Sequence, residues 1–328
     1  MMTYTRRDFG ILAAGAAGAL AVPGVLAAAA PLDVKRPDSV FGGVQVGINA
    51  PYSFHGMPAG ADDVLGYLLQ TGISAAELRS QPIEAALGAP ALASKGVGEA
   101  IAGTTPPEAE QKAAIEALKK WRLSRSMSEF KAFRKKYEDA GVKIQIVKFD
   151  KIDAASDEVL EYCFQMAKAL GANAISCEIP VSKTKRVGGF AAKHELMVGY
   201  HGHGNLTNPE AFGRLGAWEQ AFWYSKFNGA NVDIGHFFAS NGFSPAEWIK
   251  ENHTRITHVH LKDRKKNMGD GMPWGLGDTP LKEVLLMMKK EKYKFQATIE
   301  LEYPVPAGSS VLAEISKCVA FCKSVLEG

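Results

Sequence analysis

The order of apolar and amphipathic segments limits the fold of this chain more than any other feature. After Pro37, short apolar segments alternate with longer stretches whose apolar residues lie three or four apart. Eight strands are predicted, near Val44–Asn49, Ser74–Arg79, Val142–Phe149, Asn173–Ile179, Leu196–His201, Asn231–Phe237, Ile256–Lys262 and Thr298–Tyr303. Such alternation is typical of right-handed βαβ units and a parallel sheet. No Gly-x-Gly-x-x-Gly follows the first strand, so eight repeats favour an α/β fold of the closed (β/α)8 type.

The predicted helices between these strands include an insertion. Four of them are predicted at Asp157–Leu170, Pro209–Asn228, Pro245–Asn252 and Leu281–Glu291. The interval between the second and third strands is twice a normal crossover and contains two more helical stretches, Glu108–Trp121 and Ser128–Ala140. We therefore expect one barrel domain over residues 31–328 with a helical insertion around residues 82–140.

The N-terminus is predicted to be a signal peptide. Arg6 and Arg7 precede an apolar run from Ile11 to Leu26, and small residues follow at 27–30. This pattern is typical of a twin-arginine export signal, and the run is shorter than a membrane span requires. An uncleaved anchor helix is the alternative. Residues 1–30 are expected to be removed, which gives a periplasmic or secreted protein.

Charge and cysteine content exclude several classes of protein. The formal net charge of +3 is too small to favour nucleic acid or an anionic membrane as the main partner. No segment after the signal could cross a membrane. The four cysteines lie in apolar or helical patterns and are expected to be buried thiols, although one disulfide remains open. A homo-oligomer is compatible with the sequence.

Polar residues recur with a period of two at the ends of five later strands. Residues two apart share one face of a strand. The polar sets are Ser176 and Glu178; His201 and His203; Asn231 and Asp233; His258, His260 and Lys262; and Thr298, Glu300 and Glu302. Carboxylates and imidazoles directed into a barrel are costly unless they bind something, and the active site of such a barrel lies at the carboxyl ends of its strands. This mixture predicts one divalent ion, Mn²⁺, Mg²⁺, Co²⁺ or Zn²⁺, and the lack of thiolates disfavours a structural zinc site.

Four motifs carry a resemblance that covers roughly residues 40–327. They are Tyr200-His201-Gly202-His203, Asp233-Ile234-Gly235-His236, Thr257 to Asp263 (THVHLKD), and Glu300-Leu301-Glu302-Tyr303-Pro304. In their order and spacing they resemble the xylose isomerase-like, sugar phosphate isomerase/epimerase superfamily of TIM barrels. That group holds one divalent metal with a Glu, an Asp, a His or Gln, and a second Glu.

The resemblance implies a set of metal ligands in this chain. Asp233, His260 and Glu302 match it, with Glu300 as the alternative to Glu302. The chain departs from the group at His201, where a Glu is frequent. Glu178 is therefore expected to be the first ligand, and His201 is expected to transfer protons.

Other polar residues near strand ends are expected to bind substrate or assist catalysis. His201, Glu300 and Lys262 are the predicted catalytic residues. The predicted substrate-binding residues are His55, Arg79, Lys148, His203, His236 and Trp274. Trp274 could stack on a sugar ring or anchor its own loop.

The function implied is a metal-dependent sugar isomerase or epimerase that removes the proton next to a metal-bound carbonyl. Export favours an unphosphorylated sugar or keto-sugar, since phosphorylated sugars are mainly cytoplasmic. A keto-sugar lyase or hydratase shares the first step and is the closest alternative. A non-catalytic carbohydrate-binding barrel is a third reading. A nuclease is disfavoured because it needs a larger metal cluster and an exported chain meets little DNA.

Overall fold

Eight parallel strands close into a barrel in the computed structural model, which describes residues 36–90 and 108–328. In chain order the barrel strands are β2 (Val44–Ala50), β3 (Ala75–Arg79), β4 (Lys143–Lys148), β5 (Ala174–Cys177), β6 (Met197–His201), β7 (Asn228–Asp233), β8 (Ile256–Leu261) and β11 (Gln296–Ile299). Each strand pairs with the next, and β2 pairs with both β3 and β11 to complete the ring. The predicted (β/α)8 fold is confirmed.

Within the part of the chain that the structure describes, three short strands lie outside the barrel. A two-residue strand, β1 (Val40–Phe41), runs antiparallel to the start of β2. Two more, β9 (Asp263–Arg264) and β10 (Gly271–Met272), pair with each other just after β8. This second pair forms part of the loop that follows the seventh barrel strand.

The helices of the described residues follow the strands in sequence. They are α1 (Ala61–Thr71), α2 (Ser80–Ala86), α3 (Glu108–Leu123), α4 (Met127–Asp139), α5 (Asp157–Ala169), α6 (Thr184–His194), α7 (Leu215–Tyr224), α8 (Ile234–Asn241), α9 (Ala246–Glu251), α10 (Leu281–Glu291) and α11 (Val311–Glu327). Local signals set several of their ends. Ser126 and Glu129 form a capping box at the start of α4, and α1 ends at Gly72, whose left-handed backbone suits glycine.

Two predicted strands differ from the observed barrel strands by more than two residues at one or both ends. The predicted strand Asn231–Phe237 begins earlier, at Asn228, and ends at Asp233, where α8 begins. The side chain of Asp233 accepts a hydrogen bond from the backbone N–H of His236 and so caps α8. The last barrel strand is Gln296–Ile299, so Glu300 and Glu302 lie in the loop that follows it.

The interval between β3 and β4 contains helices, as expected from its length. Helices α2, α3 and α4 occupy it, and Arg122 of α3 makes two hydrogen bonds to the buried Glu84 of α2. Residues 91–107 of the predicted insertion and the predicted signal peptide, residues 1–30, lie outside the described residues.

The apolar core lies between the barrel and the surrounding helices. The residues predicted to face the helices, among them Ile175, Val232, Val259 and Ile299, are fully buried. The four cysteines are buried free thiols. Within residues 36–90 and 108–328, no helix combines the length and apolar character that a membrane span requires.

Candidate metal centre

An irregularity in the β7–β8 pairing aligns the polar residues of the two strands. Ala230 pairs with Ile256, but the next residue, Asn231, pairs with His258, so Thr257 is an extra residue in β8. The hydroxyl of Thr257 bonds the carbonyl of Ala230 and holds the bulge. As a result His260 lies opposite Asp233 in the pairing register. Bulges next to active sites commonly re-aim side chains in this way.

Four side chains converge at the carboxyl end of the barrel. One ligand atom from each of His201, Asp233, His260 and Glu300 lies within 4.8 Å of those of the other three, and all four residues are buried. His260 Nδ1 lies 2.8 Å from Glu300 Oε2 and 4.0 Å from Asp233 Oδ2. We call these four residues the inner group.

The inner group has the chemistry of a divalent-metal site. It offers two imidazole nitrogens and two carboxylate oxygens, a set that suits Zn²⁺, Mn²⁺ or Co²⁺. His201 Nδ1 is buried and has no hydrogen-bond partner among the described residues, which is unusual for a buried polar atom. Burial, together with the charges of His260 and Lys148, holds the pKa of His201 well below its usual range. A neutral imidazole is the form that binds a metal.

His260 is held from both sides by carboxylates. Its Nδ1 faces Glu300 at 2.8 Å, and its Nε2 lies 2.5 Å from Glu77 Oε2. Burial alone would lower the pKa of His260, but the two carboxylates outweigh it and raise the pKa to about 10. Burial would likewise raise the pKa of Glu77, and the imidazoles of His260 and His258 instead hold it well below its usual range.

The structure brings together only part of the predicted ligand set. Asp233 and His260 lie in the inner group as predicted. Glu300, the predicted alternative to Glu302, lies in the inner group, because it directly follows β11 and continues its pairing through a backbone hydrogen bond to Leu261. His201, predicted to transfer protons, also lies in the inner group, whereas Glu178 is grouped with His201 and His203 beside it.

Lys262 lies among the carboxylates at the edge of the inner group. Its ammonium is 2.9 Å from Asp233 Oδ2 and 2.9 Å from Glu300 Oε2, and it also contacts Glu302. Burial would lower the pKa of Lys262, but these three charges raise it well above its usual value. Gly235 makes this position possible, because a Cβ there would lie 2.3 Å from Lys262 Cγ. The predicted catalytic Lys262 is therefore next to the inner group and carries a charge.

Two pairs of imidazole and carboxylate lie at the barrel mouth, beside the inner group. In the first pair, His203 Nε2 is 3.1 Å from Glu178 Oε2, and Lys148 donates to the other oxygen of Glu178 at 2.5 Å. The hydrogen bond to Glu178 is the main cause that raises the pKa of His203. Both members are exposed, with 48% of the His203 side chain and 41% of the Glu178 side chain accessible. The ring of His203 is 4.7 Å from that of His201, so this pair can reach a molecule bound at the inner group.

The second pair is His236 with Glu302. His236 Nε2 is 3.6 Å from Glu302 Oε2, and the hydroxyl of Tyr52 donates to Glu302 Oε1 at 2.9 Å. Burial and the charge of Lys262 lower the pKa of His236 to about 3, so its imidazole is neutral. The rings of His236 and His203 lie 5.0 Å apart. One imidazole that favours the charged form thus lies beside one that favours the neutral form.

The remaining predicted substrate residues are spread more widely. Arg79 is buried and forms an ion pair of 2.7 Å with Asp150. His55 is exposed in the loop after β2. Trp274 packs edge-on against Phe321 of α11, 5.6 Å between ring centroids, which supports the loop-anchor alternative over sugar stacking.

Two buried polar residues of this region were not predicted. Glu77 lies in the middle of β3 and reaches His260, and Asn49 of β2 donates a hydrogen bond of 3.0 Å to Glu300. Both strands precede the five that carry the polar pattern. Glu77 and Arg79 do share one face of β3, so a search for paired polar residues over all eight strands would have found Glu77.

Residues 181–317 match the family described as xylose isomerase-like TIM barrel. This stretch contains the whole inner group and both imidazole–carboxylate pairs except Glu178. No curated protein matches the chain.

Solved structures match over most of the chain. A xylose isomerase domain protein from Alicyclobacillus acidocaldarius aligns with a TM-score of 0.60 at 13% identity, covering 87% of this chain and 100% of the other. A probable 3-DHS dehydratase, AsbF, from Bacillus anthracis aligns with a TM-score of 0.58 at 14% identity over 84% and 98%. The IOLI protein, solved with a binding zinc atom, aligns with a TM-score of 0.55 at 13% identity over 86% and 99%. At these identities the likeness establishes the shared fold.

Proposed function

Because this chain is a xylose isomerase-like TIM barrel, we propose that it is a divalent-metal-dependent enzyme that isomerises or epimerises an unphosphorylated sugar or keto-sugar. The observation that carries the proposal is the inner group, His201, Asp233, His260 and Glu300, with two imidazole–carboxylate pairs beside it. A buried donor set of this kind suits a metal, and the imidazole–carboxylate pairs beside it, one exposed and one partly buried, suit proton transfer to a bound substrate.

The four residues of the inner group would hold the metal. A bound divalent ion would polarise a substrate carbonyl and its neighbouring hydroxyl, which makes the adjacent carbon acidic. In this assignment His201 binds the metal. It does not transfer protons, which is the role predicted for it from the sequence. Lys262 keeps the carboxylates Asp233 and Glu300 oriented and places a positive charge where negative charge develops on substrate oxygen.

Proton transfer is assigned to the imidazole–carboxylate pairs at the mouth. His236 or Glu302 removes the proton from carbon, and His203, held by Glu178, protonates the neighbouring position. In an isomerisation one hydrogen moves to the adjacent carbon, the hydroxyl proton moves to the former carbonyl oxygen, and no co-reactant is consumed. The rings of His203 and His236 are 5.0 Å apart. This spacing suits transfer between neighbouring carbons better than transfer to opposite faces of one carbon.

The charges of the mouth support a neutral substrate. Each buried cation near the strand ends is already paired: Arg79 with Asp150, Lys148 with Glu178, and Lys262 with three carboxylates. A phosphate group would need unpaired donors, as Arg and Lys clusters normally provide. The described residues of the mouth thus favour an unphosphorylated carbohydrate.

A keto-sugar lyase or hydratase is the second candidate. Its first step is the same proton removal, followed by loss of a β-substituent whose oxygen must be protonated. The charged form favoured by His203 and the neutral form favoured by His236 suit a paired acid and base. The structural likeness to a probable dehydratase is compatible with this chemistry.

Solvent exchange tests the proposed function. The metal-loaded protein in D₂O should place deuterium on the carbon next to the carbonyl of at least one unphosphorylated keto- or aldo-sugar. His203→Gln should lower that rate by about 10²–10⁴, the usual contribution of a general acid or base, and leave the metal content unchanged. His253→Gln is the matched control, because His253 is exposed and stacks on Tyr293 away from the mouth.

The products separate the candidates. A new sugar of unchanged mass supports isomerisation or epimerisation, whereas an unsaturated ketone with a released alcohol or water supports the lyase. The absence of exchange from every sugar tested, or equal exchange after the metal is stripped, would contradict the proposed function.

We also propose that the chain is exported through its twin-arginine segment. The support is the arginine pair before a mild apolar run and small residues at 27–30. Changing Arg6 and Arg7 together to Lys should retain the unprocessed precursor in the cytoplasm, as measured by fractionation and the mass of the chain. Normal processing and export of this variant would mean that another pathway reads the segment.

A further inference from the structure

Glu77 contacts the inner group through His260 but is not one of its four residues. It is fully buried in the middle of β3, three strands away in the barrel from β8, which carries His260. Its Oε2 lies 2.5 Å from His260 Nε2 and 3.2 Å from His258 Nε2. An isolated buried charge is energetically costly, so a carboxylate in this position is expected to have charged or hydrogen-bonding partners.

The two nitrogens of His260 face different partners. Nδ1 points to Glu300 and Asp233, the carboxylates of the inner group. Nε2 lies 2.5 Å from Glu77 Oε2 and, at 3.1 Å, also near the side-chain amide of Asn231, so Glu77 is its nearer partner and the only charged one of the two. A histidine can bind a metal only through a nitrogen that carries no hydrogen, so the hydrogen of neutral His260 must lie on Nε2. A carboxylate that accepts this hydrogen fixes both the tautomer and the plane of the ring.

The neighbours of Glu77 hold the carboxylate in this position. His258 also contacts Oε2, and Nδ1 of His258 is 2.9 Å from the hydroxyl of Thr257, the extra residue of the β8 bulge. The bulge that aligns His260 with Asp233 therefore also orients the second imidazole that contacts Glu77. A single side chain thus links β3 to Nε2 of His260, the nitrogen that faces away from the carboxylates of the inner group.

We propose that Glu77 is a positioning residue that keeps the hydrogen of His260 on Nε2, leaves Nδ1 free for the metal, and so sets the metal affinity of the inner group. This inference rests on the proposed metal dependence and adds a residue that touches neither metal nor substrate. Loss of a carboxylate that hydrogen-bonds a metal-binding histidine typically lowers metal affinity by about 10–100-fold.

The test is a cobalt titration of the full chain against a competing chelator. Wild type should bind one Co²⁺ per chain, and Glu77→Gln should bind it about 10–100-fold more weakly with a changed visible spectrum. The amide is isosteric but accepts a hydrogen bond less strongly and can present N–H groups to Nε2. Glu84→Gln is the matched control, because Glu84 is equally buried but bonds Arg122 and Tyr162 outside the barrel. It should leave both affinity and spectrum unchanged.

Each other outcome has a defined meaning. Unchanged affinity and spectrum in Glu77→Gln would overturn the positioning role while leaving the proposed function intact. A second Co²⁺ in wild type that is lost in Glu77→Gln would also overturn it, because Glu77 would then be a ligand. If wild type binds no Co²⁺, Mn²⁺ or Zn²⁺, both the proposed function and this inference are wrong. Should Glu77→Gln not fold, Glu77→Asp keeps the charge and moves it away from Nε2, and it should give the same weakened binding.

Discussion

Asp233→Asn should abolish tight metal binding and, with it, turnover. The substitution removes a negative charge from the inner group but retains a side-chain oxygen that can cap α8 at the N–H of His236. Replacing a residue that only supports a metal ligand typically lowers metal affinity by about 10–100-fold. Because Asp233 is a proposed ligand itself, we expect its replacement to lower metal affinity by more than about 100-fold. Isothermal titration with Zn²⁺ or Mn²⁺ measures it directly.

Thermal unfolding provides a second measure of the same loss. At a metal concentration about 1,000 times the dissociation constant, wild type should gain about 4 kcal/mol of unfolding free energy, and Asp233→Asn should gain little. Asp150→Asn is the control, since Asp150 pairs with Arg79 and lies outside the inner group. Metal affinity in Asp233→Asn close to that of wild type would remove Asp233 from the ligand set.

Glu300→Gln should weaken metal binding, whereas Glu302→Gln should leave it unchanged. Glu300 lies in the inner group and is nearly buried, so its loss should weaken metal binding by more than about 100-fold. Glu302 keeps 32% of its side chain exposed and bonds Tyr52 and Lys262. Its amide variant should retain the metal and lose about 10²–10⁴ in turnover if Glu302 takes part in proton transfer.

Metal content of the two purified variants, measured alongside exchange in D₂O, decides between the glutamates. Full metal content in Glu300→Gln with loss in Glu302→Gln would restore the ligand set predicted from the sequence. Loss in both variants would mean that the two glutamates share the site.

The fold could be predicted from the sequence because its signals are local. The alternation of apolar strands and amphipathic helices is carried by each segment alone, and α10 was predicted with its observed bounds, Leu281–Glu291. The error at Asn231–Phe237 also has a local cause. Ile234 and Phe237 continue an apolar pattern that suits strand or helix equally, and the cap made by Asp233 decides for the helix.

The site was harder to predict from the sequence. Which residues belong to it depends on how far each side chain extends into the barrel. Alternation placed Asp233 and His260 on one face, and the β7–β8 register brings them together. Alternation alone does not distinguish Glu300 from Glu302, because the two residues share a face. The end of β11 at Ile299 determines which of them is buried. Glu77 lies far from the other polar residues in sequence, and only closure of the barrel brings it to His260.

Anomalous diffraction from a crystal of the metal-loaded protein would locate the metal that the inner group is proposed to bind. Data collected at the absorption edge of Zn²⁺ or Mn²⁺ should show one peak, within about 2.0–2.3 Å of His201, Asp233, His260 and Glu300. A peak bound instead by Glu178 and His203, or no peak in the barrel of a protein that had been incubated with these metals, would contradict the account.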